Sequence, residues 1–180
     1  AVVDAYLDLV RAGNGHPGVA EVAERSGVSH RSVFRYFADR EELVRTAIER
    51  QHAFARPLVA LTVGPGAPID ERIEGFIERR LELFDALAPV ARLSRSIADG
   101  QPIIADELRA TRRFLRSQIE HLFHAELSAL PTEDAAASLA VLDVICSFES
   151  VELMHRDQDM SHRKTAQTIE RAIRQLLQPG

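Results

Sequence analysis

Glu21 to Leu43 reads EVAERSGVSHRSVFRYFADREEL, and the fold follows from how this stretch is punctuated. Val22 and Ala23 open an apolar rhythm, Gly27-Val28-Ser29 interrupts it, and Val33 and Phe37 resume it. That spacing lets two short helices cross at a steep angle. Ala23 is small where the helices approach, Gly27 supplies the positive φ of a tight turn, Val28 plugs the corner, and Ser29 caps the second helix. Asp39 caps a further helix, and Glu42, three residues on, completes a capping box. The stretch therefore predicts helices near Val19–Ser26, near His30–Phe37, and from Glu41 to about Leu61.

On the second of these helices His30, Arg31, Ser32, Arg35 and Tyr36 are not needed for packing. They can hydrogen-bond in a DNA major groove, and Arg31 can make the bidentate contact to guanine that is the commonest specific one. The net charge of −5 argues against a protein that coats nucleic acid indiscriminately. The positive charge is instead local: from Arg25 to Arg40 there are four Arg and one acid.

The series A-x-x-S-G-V-S-x-x-S-V-F-x-Y-F-x-D-R-E-E-L, from Ala23 to Leu43, resembles the DNA-binding signature of TetR-type (tetracycline-repressor-like) transcriptional regulators. The resemblance implies that Tyr36 and Arg40 contact phosphate and so fix register without reading sequence. It also implies a homodimer, a palindromic operator and a small-molecule effector, with the fourth helix carrying movement between reading head and effector site. Two positions depart from the pattern. Gly18 stands where the family commonly has a Thr cap, and Phe34 stands where it usually carries a Tyr that bonds a phosphate.

The rest of the chain reads as all-α, about nine helices in total. Ala1 to Ala12 is a helix ending at Gly13-Asn14-Gly15. After the linker Thr62–Pro68, amphipathic segments run near Ile69–Leu87, Pro89–Asp99, Pro102–Leu127, Thr132–Arg156 and Ser161–Gln178. The expected domains are a helix-turn-helix domain over 1–50, with the fourth helix bridging to about 61, and a ligand-binding and dimerisation domain over 69–180. The eighth helix, Ala135 to His155, is apolar around nearly its whole circumference, and the ninth has one stripe of Ala166, Ile169, Ile173 and Leu176. Together they suit a four-helix interface with the same two helices of a second subunit.

Arg80 is the anomaly of the fifth helix. It projects into the arc of Ile73, Phe76, Ile77, Leu83 and Phe84, away from the acids, and a core-facing guanidinium needs partners. Glu149 and Glu152 lie within the apolar circumference of the eighth helix, near Phe148, and can supply them. Thr111 and Gln118 interrupt the stripe of Leu108, Phe114 and Leu115. Two readings stay open: these residues line an apolar effector cavity with a polar anchor, or Arg80 sits in a structural ion pair or reaches to the rim.

No catalytic set, cofactor site or metal site is read. His121 and His124 are three apart, with His155 as a further imidazole, but no Cys or tight carboxylate set accompanies them. Cys146, the single cysteine, has no obvious base beside it. With no signal peptide and no apolar run of membrane-span length, the expected location is the cytoplasm. The expected function is a ligand-responsive, DNA-binding regulator, a repressor released from a palindromic operator by a small, mostly apolar molecule. The alternative is a dimeric small-molecule-binding or scaffold protein whose reading head has lost DNA binding.

Overall fold

The computed structural model describes residues 1–178. Among them it has no strand, and its ten α-helices are α1 (Val2–Arg11), α2 (Val19–Ser26), α3 (His30–Tyr36), α4 (Arg40–Val59), α5 (Ile69–Ile97), α6 (Pro102–Leu122), α7 (His124–Ala129), α8 (Thr132–Ile145), α9 (Phe148–Arg156) and α10 (His162–Leu177). A 3-10 turn, Ala98–Gly100, joins α5 to α6. The chain forms two compact units: residues 1–57 with 87–108, and residues 58–86 with the chain from Arg109 onward. α4, α5 and α6 therefore each contribute residues to both.

The first unit is built on the helix-turn-helix. Val22 and Ala23 of α2, Val33 of α3, and Leu43, Val44 and Ala47 of α4 bury against Val2, Val3, Tyr6 and Leu7 of α1. Ile97, Ile103, Ile104 and Leu108 join the same core. Gly27 ends α2 in the left-handed region at φ 70°, as the turn requires. Ser29 Oγ accepts from the Ser32 N–H at 3.2 Å and caps α3. Asp39 Oδ1 accepts from the Glu42 N–H at 2.8 Å, while the Glu42 carboxylate reaches back one residue further than a standard box, to the Ala38 N–H at 2.6 Å.

The second unit packs α7 through α10 with the N-terminal part of α5 and the C-terminal part of α6. Its most buried side chains include Phe76, Ile73, Phe123, Leu122, Leu142 and Ile173. Three features differ from the expected helices, each for a local reason. α5 runs unbroken through Pro89, which removes only one backbone hydrogen bond from a long helix. The segment expected over 102–127 breaks at Phe123, freeing the Leu122 carbonyl to accept from Arg72 Nη1 at 2.8 Å. The eighth helix breaks after Cys146, because Ser147 becomes an N-cap for Ser150 at 3.2 Å and its hydroxyl also bonds the Val144 carbonyl at 2.7 Å.

Arg72 is the charged group tied most firmly into this core. It donates to both carboxylate oxygens of Glu126 and to the Ala67 carbonyl, a bidentate arrangement that holds the Glu126 carboxyl below its usual range. Because that folded-state pKa is lowered, the pair's stabilisation is present at neutral pH and is lost as the pH falls through the folded-state value. On α10 the buried face is Thr165, Ile169, Ile173 and Leu177, so Ile169 and Ile173 are covered by their own chain. Exposed apolar side chains are found on α8 and α9 instead, at Val141, Val144 and Leu153.

Candidate functional site

On α3 the spacing that turns Val33 inward turns the polar residues outward. His30, Arg31, Arg35 and Tyr36 are exposed, while Ser32 is half-buried with its hydroxyl 2.9 Å from that of Ser29. Arg31 and Arg35 are four residues apart and share a face. Arg35 lies over the Tyr36 ring, 5.1 Å from its centroid, and donates from Nη2 to the Tyr36 hydroxyl at 3.1 Å. A hydroxyl that accepts from Arg35 keeps its own proton to donate, so the pair presents a cation and a donor suited to one phosphate. Phe34 is 52% exposed, and its ring meets His30 edge-on with centroids 5.1 Å apart.

Arg40 opens α4 and is exposed, with Nη2 3.3 Å from His16 Nδ1. His16 is itself bonded by the buried Gln101, whose Nε2 is 3.2 Å from the same ring nitrogen. Gly15 lets this loop close against α5, since a Cβ there would stand 2.8 Å from Ile97. Neither His16 nor Gln101 is marked by the sequence pattern; one sits in a loop and the other between two helices, 85 residues apart.

In the second unit the structure brings together Phe76, Arg80, Phe84, Gln118 and Phe148. The Arg80 guanidinium carbon is 4.7 Å from the Phe76 ring centroid and 5.9 Å from that of Phe84, which in turn meets Phe148 edge-on at 5.5 Å. Arg80 is 4% exposed and makes two hydrogen bonds, both 3.3 Å and both from Nη2, to the Leu115 carbonyl and Gln118 Oε1. Gln118 is held in turn by donating to the Val59 carbonyl at 2.8 Å. Among the described residues no carboxylate forms an ion pair with Arg80, though the charge of Asp143 acts on it from further off. Glu149 pairs with Arg112, and Glu152 with Arg156 at 3.8 Å. Thr111 and Phe114 are exposed. The buried ion pair that the sequence suggested for Arg80 exists, but it belongs to Arg72.

Arg80 lines a narrow seam with Phe76, Ile77, Leu81, Cys146 and Ile169 that has no room for a water molecule. Cys146 enters the site by packing and not by its chemistry. Burial pushes its thiol up to about 12, which makes it an apolar wall rather than a nucleophile. Burial likewise pushes the Arg80 guanidinium down from 12.5 to about 10, so it stays charged at neutral pH in a place that disfavours charge.

Residues 16–47 match the family model of bacterial regulatory proteins of the tetR family. No curated protein matches the sequence. Three solved structures share the fold. A transcriptional regulator from Rhodococcus sp. Rha1 has TM-score 0.73 and 18% identity, over 98% of this chain and 94% of its own. A candidate transcriptional regulator from Streptomyces coelicolor A3(2) has TM-score 0.69 and 20% identity, over 96% and 95%. A candidate TetR-family regulator from Rhodococcus sp. has TM-score 0.66 and 18% identity, over 98% and 99%. Among the described residues no helix is long and apolar enough to cross a membrane. Residues 16–47 thus carry a segment like the DNA-binding part of tetR-family regulators, in a chain whose all-helical fold is similar to these three structures.

Proposed function

We propose that this protein is a homodimeric repressor in the cytoplasm, released from a palindromic operator by a small apolar molecule that carries an acidic group. The observation that carries the reading is Arg80: a buried cation with no carboxylate partner, framed by aromatic rings and using two of its five N–H donors. A carboxylate in that space would gain a charge-assisted bond, and its apolar tail would rest on Phe76 and Phe84. As it stands the seam has no room even for a water molecule, so binding must open it. An effector that binds better to the opened state weakens operator binding by the same factor. α5 supplies a route, since the helix that carries Arg80 ends at Ile97 in the core of the reading head.

The test is Arg80→Met in the full-length chain. A buried charge costs stability, and a shift from 12.5 to about 10 corresponds to a penalty on the order of 3 kcal/mol at neutral pH, relieved only as pH rises past the lower value. Met keeps the volume and removes the charge, so the variant is expected to gain about 1–3 kcal/mol of stability. Operator affinity should stay near wild type, while a panel of aliphatic and aromatic monocarboxylic acids should no longer release DNA from it. Equal release from both proteins would place the effector elsewhere, and a lower melting temperature would make Arg80 a structural residue.

In the reading head we assign base readout to Arg31, with His30 and Ser32 beside it, and phosphate anchoring to Arg35, Tyr36 and Arg40. Arg31→Ala is expected to lose about 1–3 kcal/mol of discrimination at one base pair per half-site. Arg40→Ala is expected to weaken binding to every sequence and to shallow the salt dependence by about one phosphate per half-site. Titration on operator and scrambled duplex across a salt series separates the two. Uniform loss in both variants would remove the division of roles, and a wild type that shifts neither duplex would favour the scaffold alternative.

A further inference from the structure

We propose that Asp85, His155 and His162 form a binding site for a divalent transition-metal ion of the zinc class. One nitrogen from each imidazole and one carboxylate oxygen of Asp85 all lie within 4.8 Å of one another. The three come from three elements. Asp85 is on α5, one residue past Phe84, whose ring is locked edge-on against Phe148 of α9. His155 is in the last turn of α9, and His162 is the first residue of α10, capped by Ser161. Between the two histidines the chain turns through Asp159, the one non-glycine residue at positive φ among those described, and the Met160 N–H bonds the Met154 carbonyl at 2.9 Å. That turn folds the two rings together, with centroids 4.8 Å apart.

A second, independent observation points to a ligand. His155 Nε2 is buried and has no hydrogen-bond partner. Buried ring nitrogens are ordinarily satisfied, and coordination satisfies one with a single atom. The other two groups already face each other, with His162 Nε2 2.7 Å from Asp85 Oδ2. In a tetrahedral zinc site, bond lengths of about 2.0–2.2 Å put ligand atoms roughly 3.3 Å apart. Side-chain rotation of the half-exposed His162 and Asp85 can bring the wider separations in and let the 2.7 Å pair out to that spacing.

The donor set narrows the ion. Two imidazoles disfavour calcium and magnesium, which take oxygen, and the lack of a thiolate disfavours copper(I). Three protein ligands leave a fourth position for water or an oxygen donor. His121 and His124, paired by their spacing in the sequence, are instead separated by the break at Phe123, one in the last turn of α6 and the other opening α7. A bound ion would pin α5 to the α9–α10 turn beside the Arg80 cluster. This proposal stands apart from the effector reading and survives its failure.

The experiment is zinc titration by calorimetry, with cobalt(II) as a spectroscopic stand-in, on the chelator-treated full-length chain. One equivalent per chain and a visible cobalt band of tetrahedral intensity are expected. His155→Gln and His162→Gln should each weaken binding at least about 100-fold, with Asp85→Asn less severe. His162 is half-exposed, so its variant should keep the wild-type circular dichroism and melting curve and so report on the metal alone. Unchanged stoichiometry and affinity in His162→Gln would place the ion at other histidines. No binding to wild type at zinc concentrations on the order of 100 μM would overturn the site outright.

Discussion

Ile173→Glu is expected to unfold the second unit. Ile173 is fully buried in the core of its own chain, one turn along α10 from Ile169 at 3% exposure. Removing an isoleucine from such a place costs about 2–5 kcal/mol in lost burial and cavity. Forcing a carboxyl into it adds several more, because the group must either stay charged without a partner or take up a proton. The sum, about 5 kcal/mol or more, rivals the whole stability of an ordinary domain. Loss of the cooperative thermal transition and of much of the helical signal is expected, whereas Ile173→Val should cost only about 1 kcal/mol. A folded monomer at the wild-type melting temperature would move Ile173 from the core to a subunit surface.

That outcome also bears on what could be read before the fold was known. The α10 stripe was legible as a stripe, because Ile169 and Ile173 recur at helical spacing. Which body covers it was not, since an apolar face looks the same whether its own chain or a second subunit buries it. Arg80 was legible for a similar reason: one charge in the middle of an apolar arc has no ordinary explanation on a helix surface. Its partners were not. The acids with the right helical phase, Glu149 and Glu152, pair with Arg112 and Arg156. Arg72 lies at the edge of the same arc, and its partner Glu126 is 54 residues away across a helix break.

The reading head was the most legible part because its signals are local. Gly27, Ser29 and Asp39 each act on backbone groups within four residues, and each does so in the structure. The bracing of Arg40 by His16 and Gln101 needs three segments of chain and leaves no periodic trace. The same holds for Asp85 with His155 and His162. Residues 89–108 are amphipathic in the sequence, but nothing in that pattern says which core they join; Ile97, Ile103 and Ile104 pack with the helix-turn-helix.

Val144→Glu is expected to do what Ile173→Glu cannot: separate subunits without unfolding them. Val144 is 63% exposed on α8, with Val141 three residues before it at 44% and Leu153 on α9 at 50%. Exposed apolar residues at helical spacing suit the centre of an interface, and an obligate dimer buries about 2,000 Å² or more in total. In a two-fold interface each substitution appears twice, so two carboxylates are desolvated in one contact. The chain itself loses little, because an exposed Val contributes little to its own core, and the monomer should keep its helical signal. DNA binding should fall far more than after any single contact change, since a monomer engages one half-site and forfeits the linked second event. Such linkage is worth about 10²–10⁴ in affinity. Sedimentation of Val144→Glu at micromolar concentration, beside operator titration of the same sample, decides it. A folded monomer with operator affinity reduced by that factor supports an interface on α8 and α9, and an intact dimer would move it to another face.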